Sequence, residues 1–142
     1  MKFARIAVPI LAMLCLSAQD SGMRSVWDGV YTVEQAKRGL TQYNKHCLDC
    51  HGEDLEGDQE TPPLRGGRFL TNWEGQRVGD LYLRIHRDMP MNAEAGTLSS
   101  AVTADLVAYL LNINRFPSGN AELPRANELL QQIRIEAVKP KR

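Results

Sequence analysis

Apolar residues recur at helical spacing in four stretches of the chain, and glycine- and proline-rich segments separate them. Ala36, Gly39, Leu40 and Tyr43 fall three or four residues apart, the period that gathers one face of a helix. Thr32 stands where an N-cap belongs, and Gln35 three residues later predicts a capping box. This first helix is expected to run into the Cys47 region. Residues 51–68 contain Gly52, Gly57, Pro62, Pro63, Gly66 and Gly67 and read as loop. A second helix is predicted from about Val78 to His86, with Leu81, Leu83 and Ile85 as its apolar part. Residues 88–97, around Pro90 and Gly96, again read as loop. A third helix is expected after its cap, Ser99, through Leu106-Val-Ala-Tyr-Leu-Leu111 to about Ile113, with Pro117 and Gly119 stopping it. A short fourth helix is predicted with Pro124 at its first position, passing Leu130 to about Ile133, before a frayed tail. No alternating strand pattern and no internal repeat appears after residue 18. The expected fold class is all-α.

The N-terminus differs in kind. Lys2 and Arg5 precede an apolar run, Ile6 to Leu16, and the small pair Ser17-Ala18 follows. That order describes a secretory signal peptide, and the run falls short of the roughly 20 apolar residues that span a bilayer. A retained membrane anchor is the alternative reading. A lipid acceptor role for Cys15 is disfavoured by bulky Leu14 before it. The expected organisation is a signal peptide over 1–18, an extension over 19–31, one domain over 32–119, and a C-terminal helix and tail over 120–142.

The 142 residues suit a single domain, with 24% charged and 43% hydrophobic residues in an ordinary globular balance. Lys plus Arg and Asp plus Glu both number 17, and removing residues 1–18 takes away Lys2 and Arg5, leaving 15 basic against 17 acidic. No basic stretch is interleaved with aromatics, so the pattern argues against a nucleic-acid partner. Of three cysteines, at 15, 47 and 50, removal of the leader would leave only the last two. An exported chain meets an oxidising compartment, and here both remaining thiols belong to one motif.

That motif, Cys47-Leu-Asp-Cys50-His51, is the attachment signature for c-type haem. Cysteines three apart on a helical turn face one side, so both sulfurs can reach the vinyl groups of one porphyrin. The histidine that follows is carried to where its imidazole can bind iron. The motif occurs once and predicts one covalent haem c. A thioredoxin-like dithiol would need a βαβ context that the pattern lacks. A zinc site would need further ligands such as His46 or His86. His46 itself reads as solvent-facing.

From Thr32 to Gly119 the chain resembles the class I cytochromes c, in particular small single-haem cytochromes associated with quinoprotein dehydrogenases. The matching pieces are the helix with Gly39 and Tyr43, the haem motif, Gly52-Glu-Asp-Leu-Glu-Gly57, Pro62-Pro-Leu-Arg-Gly66, Met89-Pro90, Leu106-Val-Ala-Tyr-Leu110 and Phe116-Pro-Ser-Gly119. The resemblance implies three core helices wrapped around haem, with one short C-terminal helix added. It implies a single-electron carrier with His/Met axial ligation. Met89, followed by proline in a loop after a helix, matches the family's distal ligand, so the expected metal ligands are His51 and Met89. Met91 in the same loop and His86 stay open as alternatives. Pro62 matches the family proline whose carbonyl receives the axial histidine's other N–H, and Trp73 resembles a propionate-contacting tryptophan. Gly39 and Tyr43 against Leu106 and Tyr109 look like the crossing of the first and third helices.

With both axial positions filled by protein, no site remains for substrate, and no enzymatic activity is expected of the chain alone. The resemblance points to a periplasmic monomer that takes electrons from a dehydrogenase and passes them to another cytochrome or a terminal oxidase. Rival readings are a haem sensor or peroxidase-like enzyme with a weak distal ligand, and a subunit fixed within a larger dehydrogenase complex. Asp49, Glu53, Asp54, Glu56, Asp58 and Glu60 crowd 12 residues with no Lys or Arg among them. They read as a solvated acidic loop or as a docking patch for a basic redox partner.

Overall fold

The computed structural model describes residues 22–141, so the expected leader and Cys15 lie outside the described residues. Among the described residues, a 3-10 turn (Val26–Asp28) precedes six α-helices: α1 (Val33–His46), α2 (Leu48–His51), α3 (Gly66–Trp73), α4 (Val78–Asp88), α5 (Ser100–Ile113) and α6 (Asn127–Leu130). Two short strands, β1 (Arg24–Ser25) and β2 (Ile133–Arg134), pair in parallel, with Arg24 opposite Ile133 and Ser25 opposite Arg134. The all-α class holds, with this one two-residue pairing added to it. A strand of two residues is too short to show any alternation, and its pairing depends on chain ends far apart in sequence.

Helix α1 starts as expected, with Thr32 Oγ1 accepting from the Gln35 amide at 3.1 Å. Gln35 does not complete a capping box. Its buried amide donates to Leu123 O at 3.2 Å and accepts from Leu123 N at 2.7 Å. A buried amide must find partners, and the passing backbone at Leu123 satisfies both ends of it. The crossing of α1 and α5 is close because Gly39 has no side chain: a Cβ there would lie 1.9 Å from Asp105 O and 2.7 Å from Tyr109 Cβ. One turn on, the rings of Tyr43 and Tyr109 meet at 5.3 Å between centroids.

Helix α5 begins at the Ser99 cap, whose Oγ accepts from Val102 N at 3.3 Å, and Leu106–Leu111 form its buried middle. Helix α4 is stopped at Met89, whose backbone turns extended (φ −113°, ψ 148°), as a residue before proline favours. The loop read over residues 51–68 ends earlier than expected, because α3 starts at Gly66. Its first amide, Gly66 N, donates to Asn114 Oδ1 at 2.9 Å, a long-range anchor that local composition does not reveal. The fourth helix is a single turn. Pro124 lies outside it, and Ile133 leaves the helical path to pair with Arg24.

One apolar cluster joins these elements. Val26, Val30 and Tyr31 from the N-terminal side and Leu130, Ile133 and Ile135 from the C-terminal side share it with α1, α4 and α5. The Trp27 indole N–H donates to Glu136 O at 2.8 Å, and its ring meets Phe116 edge-on at 5.2 Å. Residues 26–31 and 130–136 therefore brace the core together.

Candidate functional site

Helix α1 hands directly over to the cysteine motif. Cys47 N donates to Tyr43 O at 2.8 Å, and the single turn α2 closes with Cys50 N and His51 N donating to Cys47 O at 3.2 and 2.9 Å. One turn therefore separates two free thiols, Cys47 half-buried and Cys50 exposed. Burial and the neighbouring Cys50 push the Cys47 thiol up to about 11.

His51 is 7% exposed, and its Nδ1 lies 3.1 Å from Pro62 O. A carbonyl can only accept, so Nδ1 carries the hydrogen and Nε2 keeps its lone pair. Burial also lowers the proton affinity of this imidazole, outweighing the Pro62 contact and the Asp58 charge. The shift favours the neutral ring, the form in which an imidazole binds a metal. The loop that presents Pro62 is tied down along its length. Gly57 N donates to His51 O at 3.1 Å, and Leu64 N to Leu55 O at 2.8 Å. The Asn114 amide donates to Leu64 O at 2.9 Å, and Tyr43 Oη to Gly52 O at 2.6 Å.

These groups open onto a cavity of about 310 Å³ whose lining includes Cys47, Cys50, His51, Pro62, Trp73, Met89 and Met91. Leu64, Leu81, Ile85, Leu106 and Leu110 make its walls apolar. Leu81, Ile85 and Met89 reach it because they lie four residues apart along α4 and its C-cap. Met89 is half-buried, whereas Met91 is 77% exposed. His86 is not among the lining residues. Its Nδ1 lies 3.2 Å from Thr103 Oγ1, and its ring stacks on Tyr82 at 5.5 Å. His46 departs from expectation: it is half-buried and lines the cavity, as the last residue of α1 before the motif.

Asn72, Gln76 and Arg84 also line the cavity and were not singled out in the sequence. The available signal was spacing, since Arg84 lies one turn from Leu81 on α4. Tyr43, read as a packing residue, touches the same space. Two thiols one turn apart, an imidazole with a free Nε2, thioether sulfurs and apolar walls with a few polar side chains fit a covalently held porphyrin. Among the described residues, no group of three or more His, Cys, Asp and Glu is placed to hold a metal ion in zinc fashion. The six acidic residues of 49–60 are all exposed, with Glu60 reaching the cavity itself. The three ion pairs among the described residues lie elsewhere.

Helices folded around such a turn and cavity define a class I c-type cytochrome. Residues 34–110 match the family model described as cytochrome c oxidase, cbb3-type, subunit III, and the chain belongs to that family. Such a domain carries electrons on a covalently bound haem c. The fold is similar to a chain in the crystal structure of the sulfane dehydrogenase SoxCD from Paracoccus pantotrophus, with a TM-score of 0.52 and 24% identity. The likeness covers 93% of this chain and 66% of that one. No curated protein matches the sequence. Among the described residues, no helix is long and apolar enough to cross a membrane.

Proposed function

We propose that the protein is a periplasmic single-electron carrier in which Cys47 and Cys50 form the haem thioethers and His51 and Met89 bind the iron. The observation that carries this reading is the His51 ring, buried, bonded through Nδ1 to Pro62 O, and left with a free Nε2 lone pair beside the two thiols. The haem supplies a one-electron couple. Pro62 fixes the tautomer and plane of the imidazole and strengthens it as a donor. Met89 offers a soft thioether from the end of α4, a ligand that raises the potential of a haem protein. The apolar walls exclude water, and the Trp73 indole N–H is assigned to a haem propionate. With both axial positions filled, the chain catalyses no reaction of its own.

The leader over residues 1–18 directs export, and the domain over 32–119 works as a monomer. Its donor is a periplasmic dehydrogenase, and its acceptor another cytochrome or a terminal oxidase. The family description names an oxidase, and the structural neighbour is a dehydrogenase, which agrees with a carrier between the two classes. The exposed acidic rim beside Cys50 suits a basic partner surface.

The ligand assignment is tested by the absorption band of Met–iron coordination in the oxidised holoprotein. Met89→Ala is expected to abolish the band and lower the potential, whereas Met91→Ala and His86→Ala leave both unchanged. Loss of the band in Met91→Ala alone moves the ligand to Met91. A low-spin spectrum that lacks the band and is disturbed only by His86→Ala makes the site bis-histidine.

A further inference from the structure

The turn after the haem motif is closed by Asp58, a member of the acidic rim whose side chain also bonds to the backbone of its own loop. Asp58 Oδ1 accepts from Glu60 N at 2.9 Å and from Thr61 N at 2.8 Å. Asp58 N donates to Thr61 O at 3.0 Å. Residues 58–61 are thereby locked into a loop whose next residue is Pro62, the partner of His51 Nδ1. Gly57 (φ +60°) lies against the same backbone, where a Cβ would come within 2.1 Å of Thr61 O and 3.0 Å of Pro62 O. Gly57 N also holds His51 O at 3.1 Å. The histidine is therefore gripped twice by one turn, through its own carbonyl and through its ring, and the Asp58 carboxylate keeps that turn shut.

We propose that Asp58 is a positioning and potential-setting residue for the haem, holding the Pro62 carbonyl on the axial histidine and keeping a negative charge in the turn that carries Pro62. The inference rests on His51 as the axial ligand. The charge has a consequence of its own, because the Asp58 carboxylate and the His51 ring influence each other electrostatically. A negative charge near the iron favours the ferric state, which carries one more positive charge than the ferrous. A firm Nδ1–H···O bond favours it too, by making the imidazole a stronger donor. Both effects lower the potential, against the raising effect of a methionine ligand.

Two substitutions separate the effects. Asp58→Asn keeps the Oδ1 acceptor and removes the charge, whereas Asp58→Ala removes both. Glu53→Gln removes an equal charge from the rim without touching the turn. The midpoint potential is measured by spectroelectrochemistry on periplasm-matured holoprotein, at low ionic strength and again near 1 M salt. The His51 Nδ1–H is followed in the paramagnetic proton spectrum. Asp58→Asn is expected to raise the potential at low salt, with a smaller shift at high salt, while the Nδ1–H still exchanges slowly. Asp58→Ala is expected to raise it further, with a shift that survives salt and an Nδ1–H that exchanges faster. Glu53→Gln is expected to move it less than Asp58→Asn. Wild-type potentials in both Asp58 variants, with the His51 proton present in the paramagnetic spectrum, overturn the Asp58 role alone. Equal shifts in Glu53→Gln and Asp58→Asn overturn the specific charge effect. Absence of the His51 proton from the wild-type paramagnetic spectrum overturns the axial assignment and the Asp58 role with it.

Discussion

Replacing Gly39 with Ala probes the contact on which the site's geometry depends. The added Cβ meets Asp105 O at 1.9 Å, where ordinary contact begins at 3.4 Å, so α1 and α5 must part by up to 1.5 Å. The obstacle is a backbone carbonyl within a helix and cannot swing aside. Overpacking costs about 1–3 kcal/mol, and this rigid geometry belongs at the upper end, about 3 kcal/mol. Alanine recovers about 1 kcal/mol of helix propensity over glycine. The net loss is then about 2 kcal/mol, or a fall of about 8 °C in Tm for a domain of this size. Gly67→Ala is the matched control, because nothing lies within 4 Å of a Cβ there, and it is expected to be neutral or stabilising by about 0.5 kcal/mol. Thermal unfolding of both holoproteins, followed by far-UV circular dichroism, gives the comparison. A Gly39→Ala protein within about 0.5 kcal/mol of wild type, comparable to a harmless surface change, refutes the close-crossing argument.

Charge reversal of the acidic rim, Glu53→Lys with Glu56→Lys, is expected to slow electron transfer with a basic redox protein about tenfold at low salt and little near 1 M. Equal stopped-flow rates at low salt remove the docking role. Alkaline stability follows from three tyrosines, Tyr31, Tyr43 and Tyr109, whose hydroxyls burial pushes above the ordinary value of 10.0. The unfolded chain gives up these protons first, so their contribution is complete below about pH 10 and is lost as pH rises beyond it. Denaturant midpoints are expected to fall above pH 10, less steeply in Tyr31→Phe, and a flat profile to pH 11 contradicts this.

Much of the site was legible because its chemistry is local. The Cys47–His51 spacing encodes one turn, and the Thr32 and Ser99 caps mark two helix starts that the structure keeps. Long-range partners were not legible. Gln35 carries the pattern of a capping box, yet Leu123 lies close enough to take its amide. Gly66 and Gly67 read as breakers, yet Asn114 from the end of α5 anchors α3 there. Ile133 fits a helical pattern, but pairing with Arg24 draws it into a strand. In each case a contact between residues distant in sequence outweighs a sound local signal. His46 and Arg84 were missed as cavity residues for a related reason: their helices were expected, but which face of each helix meets the cavity is set by how the helices pack.

Intact-mass spectrometry of the periplasm-matured protein, unfolded in acid–acetone, tests the central claim most directly. The account predicts a chain that keeps the mass of one haem after extraction and has no free thiol at Cys47 or Cys50. It also predicts that Cys47→Ala with Cys50→Ala releases the haem completely. A wild-type chain that emerges at its apoprotein mass with two free thiols contradicts covalent attachment.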